Sequence, residues 1–262
     1  NRTLVGVLNL AGTATQGGNN VFLGSGSVIN NLVGAIYEMQ SGELTYSGGG
    51  PGTRDFNNLG TFRKTTSNTA TVHFNFNNNG GTIDVQEGAL LLRGGGANTN
   101  GNYTVANGAN VQYPAGTHSF TATHAGGGAG IVYFNGATIT TPGGATFNFQ
   151  GDVLQWHDGT LDATGGLTNT GRFGVYGGNG RSLAGTLTNL GSVVHAGNQL
   201  FMASGSAINN QTGATWEMQS GELTFTGGGP ATRNFNTNGT FLKTTGNQAD
   251  IHVKLHNKAT VK

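Results

Sequence analysis

The sequence predicts an all-β fold, a single-stranded parallel β-helix (β-solenoid) of about 10–11 turns with roughly 20–28 residues per turn. Three observations indicate this fold class: a long internal duplication, a finer period inside it, and a composition that disfavours helix. Periods of this length are typical of solenoids, propellers and repeat arrays.

The duplication joins residues 29–66 to residues 208–245, which are identical at 27 of 38 positions without a gap. The same offset pairs NRTLVG at the N-terminus with GRSLAG at 180. We therefore predict one continuous domain over 1–262, with a first copy of a superrepeat over 1–179 and a partial second copy over 180–262.

The finer period is a phrase of a hydrophobic residue, Asn, Gly and a second hydrophobic residue, as in FNNLGTF (56–62) and LTNLGSV (187–193). A second phrase, as in MQSGELTYSGGG, alternates with it. Two phrases per turn predict two strands and two corners per turn. The rhythm fails from about 97 to 150, and we expect an irregular, loop-bearing stretch there.

Local patterns favour strands over helices. Polarity alternates in TVHFNF (71–76), which is the period of a half-buried strand. Glycine supplies 49 of 262 residues, and each glycine inside a helix would cost about 1 kcal/mol relative to alanine. A propeller blade needs about 40 residues, so the shorter spacing indicates solenoid turns.

Composition excludes several partners. Charged residues are 9% of the chain and the net charge is +1, which predicts no nucleic-acid partner. The chain lacks cysteine, which removes disulfides and thiolate ligands. It also lacks any apolar run of membrane-spanning length, so we predict no membrane insertion by this segment.

The ends of the sequence carry a further expectation. Asn1 enters in repeat phase, and Lys262 stops partway through a copy. A bare solenoid end exposes strand edges and core together. We therefore expect further copies of the chain, or adjoining repeats, to associate end to end.

The ionisable residues shared by the two copies do not form a catalytic set. Glu43 and Arg54 are predicted to form a solvated pair between neighbouring turns. The seven histidines are dispersed along the chain. We predict no catalytic residue, no metal site and no cofactor.

Two groups of residues are candidate ligand-binding positions. The first is Tyr37 with Glu38 and its counterpart, Trp216 with Glu217, in which exposed aromatics would stack on surface glycans. The second is Trp156, His157 and Asp158 in DVLQWHDGTLD (152–162), the densest polar group in the chain. Alternatively, Trp156 fills a core position and His157 and Asp158 occupy a corner.

The phrases WHDGTL (156–161), LTNLG (187–191) and GTFRK (60–64) resemble the β-helical repeats of large bacterial cell-surface proteins, including autotransporter passengers and filamentous-haemagglutinin-like adhesins. The resemblance implies a secreted, extracellular or cell-surface location in a bacterium.

The expected function is therefore a non-enzymatic structural or adhesive rod, stalk or filament. The alternatives are a carbohydrate-binding β-helix and, after it, a polysaccharide lyase or hydrolase. A lyase or hydrolase would need titratable groups that converge in one groove.

Overall fold

The computed structural model describes residues 2–46, 48, 54–178, 180–227 and 232–258, so Asn1 and Lys262 lie outside it. The described part is all-β, and its elements are strands. In chain order the strands are β1 (Arg2–Leu4), β2 (Val7–Leu10), β3 (Thr13–Gly17), β4 (Val21–Leu23), β5 (Val28–Asn31), β6 (Ile36–Tyr46), β7 (Asp55–Asn58), β8 (Thr61–Lys64), β9 (Thr69–Val72), β10 (Asn75–Asn78), β11 (Thr82–Val85), β12 (Ala89–Leu92), β13 (Gly96–Thr99), β14 (Asn102–Val105), β15 (Asn110–Tyr113), β16 (Thr117–Gly128), β17 (Ile131–Thr140), β18 (Ala145–Phe149), β19 (Leu154–Asn169), β20 (Arg172–Gly177), β21 (Arg181–Asn189), β22 (Ser192–Met202), β23 (Ala207–Asn210), β24 (Thr215–Thr224), β25 (Asn234–Thr237), β26 (Thr240–Lys243), β27 (Ala249–Ile251) and β28 (Lys254–Asn257).

The strands form three parallel ladders that run the length of the described chain. Ladder A starts at β1 and ends at β26. Ladder B starts at β2 and ends at β27. Ladder C starts at β3 and ends at β28. The chain visits A, B and C in that order once per turn.

This architecture confirms the predicted parallel β-solenoid, with about 11 turns. The length of a turn varies, being shortest between paired residues such as Arg2 and Val21 and longest between those such as Leu44 and Val72. The expectation of two strands per turn is wrong, because each turn has three. The third strand is not visible in the sequence, because some long strands pass through a corner while polar and apolar residues continue to alternate. For example, β19 belongs to all three ladders and bends at Gly159, where φ is +88°.

The stretch from 97 to 150 carries the ladders without an insertion, contrary to the expectation of an irregular, loop-bearing region. Its turns are filled by buried rings in place of the Asn-Gly phrase. Tyr103 and Tyr113 share a hydroxyl hydrogen bond of 2.8 Å, while His118 packs against Tyr113 and His124 against Phe120. The sequence rhythm fails because the core is built of different residues, not because the fold changes.

The superrepeat does not equal a whole number of turns. Val28–Asn31 lies in ladder B, whereas its copy Ala207–Asn210 lies in ladder C. The offset between the copies spans eight turns and one further strand. The second copy is therefore rotated by one ladder relative to the first.

The interior combines hydrophobic and amide ladders, as predicted. Leu44, Phe56 and Phe62 are fully buried. Buried asparagine amides bond from turn to turn, with Asn31 donating to Asn58 at 2.8 Å and Asn58 to Asn78 at 2.8 Å. Such bonds satisfy polar groups that would otherwise be costly to bury.

Candidate functional site

The two aromatic residues predicted to stack on glycans are core residues. Tyr37 is 5% exposed and Trp216 is fully buried. The Tyr37 hydroxyl donates to Gln16 Oε1 at 2.9 Å, and burial raises the pKa of that hydroxyl. The Trp216 indole N–H has no hydrogen-bond partner among the described residues. Neither ring can meet a ligand from solvent, so the prediction of exposed aromatic platforms at these positions is wrong.

Glu38 and Glu217 face outward next to these rings, but on different ladders, C and A. Glu217 Oε1 accepts hydrogen bonds from Thr244 Oγ1 at 2.6 Å and Gln219 Nε2 at 2.7 Å, and these bonds lower its pKa. Glu38 Oε1 accepts the equivalent bonds from Thr65 and Gln40. Each carboxylate is thus held as an acceptor by a threonine of the next turn and a glutamine of its own strand.

Arg54 does not form the surface pair with Glu43 that its sequence position suggested. Its side chain is buried, and it donates from Nε to the Leu23 carbonyl at 2.9 Å and from Nη2 to the Gly48 carbonyl at 2.7 Å. The guanidinium also lies over the Tyr46 ring, 5.2 Å from its centroid. These backbone carbonyls take the place of the predicted carboxylate as acceptors for the buried cation.

The segment 152–162 divides between core and surface. Trp156 is buried, donates from Nε1 to the Asp158 carbonyl at 3.1 Å and stacks on Phe173, which confirms the core alternative for this residue. Asp158 is exposed at the corner, where its Oδ1 accepts from the Gly159 N–H at 2.7 Å. His157 is half-buried on the outer face.

His157 belongs to a polar group that we call the Asp152 cluster: Asp152, Gln155, His157, Arg172 and Tyr176. Asp152 Oδ1 accepts from the Tyr176 hydroxyl at 2.7 Å and from Arg172 Nε at 3.2 Å. Gln155 donates to Asp152 Oδ2 at 3.1 Å and bonds through Oε1 to His157 Nε2 at 2.8 Å. A continuous chain of polar contacts therefore joins the imidazole to the phenol.

Three half-exposed rings, two of which belong to this cluster, lie on successive turns of ladder A. The rings of Tyr133 and His157 lie 4.8 Å apart, and those of His157 and Tyr176 lie 6.0 Å apart. A surface depression of about 270 Å³ adjoins the cluster on its Asp152 side and is lined by residues 128–131, Asp152, Val153 and Gln155. The segment 152–162 already contained Asp152, Gln155 and His157, but Tyr133, Arg172 and Tyr176 come from neighbouring turns, and their register is not visible in the sequence.

The electrostatics of the Asp152 cluster suit binding rather than proton transfer. Burial lowers the pKa of His157, aided by the nearby Arg181, so the imidazole is neutral at pH 7. Burial and the Asp152 contact raise the pKa of Tyr176 to about 12. One carboxylate and one guanidinium remain, and they are paired with each other. A near-neutral polar surface edged by rings matches an uncharged polar ligand.

One group of three potential metal-binding side chains occurs in the described ranges. Glu222, Asp250 and His252 offer ligand atoms that all lie within 4.8 Å of one another. The sequence alone does not reveal this group, because Glu222 lies on a different turn from Asp250 and His252.

Within the same ranges, no helix has the length and apolarity needed to cross a membrane. Comparison of the chain with protein-family models, curated proteins and solved structures finds no match.

Proposed function

We propose that this protein is a non-enzymatic extracellular structural or adhesive repeat protein that forms a rod, stalk or filament at a bacterial surface. The observation that carries the proposal is that the two copies reproduce the contacts that join adjacent turns. In such a solenoid each turn contacts only its neighbours, so repetition adds length without requiring a new fold.

The first described turn supports end-to-end association with another copy or with adjoining repeats. Leu8 pairs in register with Ile29, which is 1% exposed, yet Leu8 itself is 37% exposed. Leu8 therefore occupies a core position that no further turn covers among the described residues. Unpaired strand edges beside an open core favour the addition of another solenoid turn.

A matched pair of variants tests this association. Leu8→Lys places a charge on the open core, whereas Leu59→Lys places one on the side of the rod at a residue of almost equal exposure, 38%. We expect sedimentation velocity to show elongated species that grow with concentration for the wild type and Leu59→Lys, but not for Leu8→Lys. A wild type that stays monomeric, or equal behaviour of the two variants, would contradict end-to-end association between copies of this chain.

The Asp152 cluster favours a second candidate function, the binding of a neutral surface glycan. Half-exposed rings of Tyr133 and Tyr176 flank a neutral imidazole there. We expect Tyr133→Ala to abolish binding on a glycan array, and Val33→Ala, at an exposed residue several turns away, to leave it unchanged. Release of new sugar ends from any bound polysaccharide would instead favour the lyase or hydrolase alternative.

A further inference from the structure

Glu222 and Asp250 are brought together by the ladder register. Glu222 in β24 pairs directly with Asp250 in β27, one turn away on ladder B. His252 follows Asp250 by two residues, and side chains two apart on an extended chain project to the same side. All three side chains are partly or fully exposed, so an ion could reach them from solvent.

Two glutamine amides from outside the group hold its carboxylates. Gln199 Nε2 donates to Glu222 Oε2 at 2.8 Å, and Gln248 Nε2 donates to Asp250 Oδ2 at 2.7 Å. Each amide occupies one carboxylate oxygen, so the second oxygen can serve as a ligand. Hydrogen bonds of this kind orient metal ligands and raise metal affinity.

The first copy contains the same arrangement without the second carboxylate. Glu43 and His73 correspond to Glu222 and His252, and His73 Nε2 lies 3.4 Å from Glu43 Oε1. Asn20 donates to Glu43 Oε2 at 3.3 Å, as Gln199 does to Glu222. Thr71 stands in the place of Asp250; it is only 8% exposed and pairs with Leu91 of the next turn. The first copy is thus a natural control that lacks one ligand.

We propose that Glu222, Asp250 and His252 form a binding site for a divalent transition-metal ion of the Zn²⁺ class. Imidazole nitrogen with carboxylate oxygen suits Zn²⁺ and its neighbours, whereas Ca²⁺ and Mg²⁺ prefer oxygen alone. Ligand bonds of about 2.0–2.2 Å place two donors at most about 4 Å apart. The exposed side chains therefore need to close only slightly around an ion.

The ion would join two adjacent turns near the C-terminal end of the described chain. The residues that it links, Glu222 and Asp250, are separated by the long turn that contains the glycine run after Phe225. An ion that binds only the folded chain raises its stability by mass action. The expected role is therefore a clamp that holds these two turns in register.

The test is isothermal titration calorimetry of the untagged full chain with Zn²⁺ at concentrations up to about 0.1 mM. We expect one equivalent to bind the wild type, and binding to be lost in Asp250→Thr, which copies the first repeat, and in His252→Gln. Gln199→Ala should weaken binding by about tenfold. His256→Gln is the control, since this nearby histidine bonds to Asn234 instead and should leave binding unchanged.

Thermal unfolding followed by circular dichroism gives a second readout and shows whether each variant is folded. Zn²⁺ should raise the unfolding temperature of the wild type and of His256→Gln, but not that of Asp250→Thr, and excess Mg²⁺ should not replace it. No Zn²⁺ binding to the wild type would overturn the proposal. Equal binding by folded Asp250→Thr or His252→Gln would place the ion elsewhere and overturn it as well.

Discussion

Arg54 and Arg233 make the same contacts on different faces of the rod. Arg54 precedes ladder B and donates to the Leu23 and Gly48 carbonyls, whereas Arg233 precedes ladder C and donates to the Met202 and Gly227 carbonyls. Each guanidinium lies over an aromatic ring, 5.2 Å and 4.8 Å from the ring centroid. The contacts survive a rotation of one ladder because the carbonyls and rings that make them are rotated with the arginine. The neighbouring residues, not the face, determine the environment of a side chain.

The two copies differ at a pair of neighbouring core positions, where Gln16 and Tyr37 of the first copy correspond to His195 and Trp216 of the second. Gln16 in the first copy donates to the Asn19 carbonyl at 2.7 Å and accepts from Tyr37. Its counterpart His195 bonds to the Asn198 carbonyl at 3.2 Å, while the Trp216 indole N–H beside it has no partner in the described part of the chain. The second copy therefore keeps the hydrogen bond from position 195 to a backbone carbonyl at the corner. It lacks the side-chain hydrogen bond that joins Tyr37 to Gln16 across the core of the first copy.

The largest expected difference lies between the turns that contain buried histidines and the earlier turns, and it concerns how their stability changes in acid. Burial lowers the pKa of His118, His124 and His195 to about 4, whereas His73 and His252 lie nearer the surface. The unfolded chain takes up protons near pH 6.5, but the folded chain resists them until about pH 4. Their contribution to stability is therefore complete above pH 6.5 and is lost as the pH falls from 6.5 to 4, by about 3 kcal/mol for each histidine.

Hydrogen exchange at pH 7 and at pH 4.5 checks this prediction turn by turn. We expect protection to be lost first between residues 96 and 202, where the three buried histidines lie, and later in the turns before them. Replacement of His195 by Gln should remove about one third of the pH dependence. Uniform loss of protection along the rod would contradict it.

Gly60 and Gly239 should be equally sensitive despite lying at different corners. A Cβ at Gly60 would overlap the Ala35 carbonyl oxygen, and one at Gly239 would overlap the equivalent oxygen of Ala214. We expect Gly60→Ala and Gly239→Ala each to lower the free energy of unfolding by up to about 3 kcal/mol. Urea denaturation measures both, and a cost at only one position would show that the face matters.

Removal of either buried guanidinium should have a somewhat smaller effect. Arg54→Met and Arg233→Met leave the carbonyls of Leu23 and Met202 without their side-chain donor. The expected loss is about 2 kcal/mol at both positions. Differential scanning calorimetry compares the two variants directly. A loss more than twofold greater at one of them would argue against equivalent environments.

The smallest expected effect is the coupling between positions 195 and 216. In the second copy, His195→Gln with Trp216→Tyr recreates the pair formed by Gln16 and Tyr37 at 2.9 Å. A double-mutant cycle should give a favourable coupling of about 1 kcal/mol, because a buried hydrogen bond forms only when both changes are present. Additive effects would mean that the core of the second copy cannot accommodate the pair of Gln and Tyr found in the first copy.

Much of the fold was predictable from the sequence, because period and alternation report directly on turns and core. The number of strands per turn was not, since β19 passes two corners within one run of alternating residues. Burial of Tyr37 could have been predicted: it lies two residues before the apolar Met39, which is buried, and side chains two apart on a strand share a face.

The candidate sites were less accessible to prediction for a physical reason. Asp152 meets Tyr176 on the next turn, and Glu222 meets Asp250 across a longer one, so each contact depends on the length of the intervening turn. That length is not constant along the rod. The sequence shows which residues are available, but not which ones meet.

The extra strand in the superrepeat has a consequence for display. A surface feature copied once in each superrepeat would advance around the rod by one of its three sides at each copy, and three copies would point in three directions. A chain that continued this repeat would present the same feature on each of its three sides in turn along its axis. A partner could then approach from any side and find a copy oriented towards it.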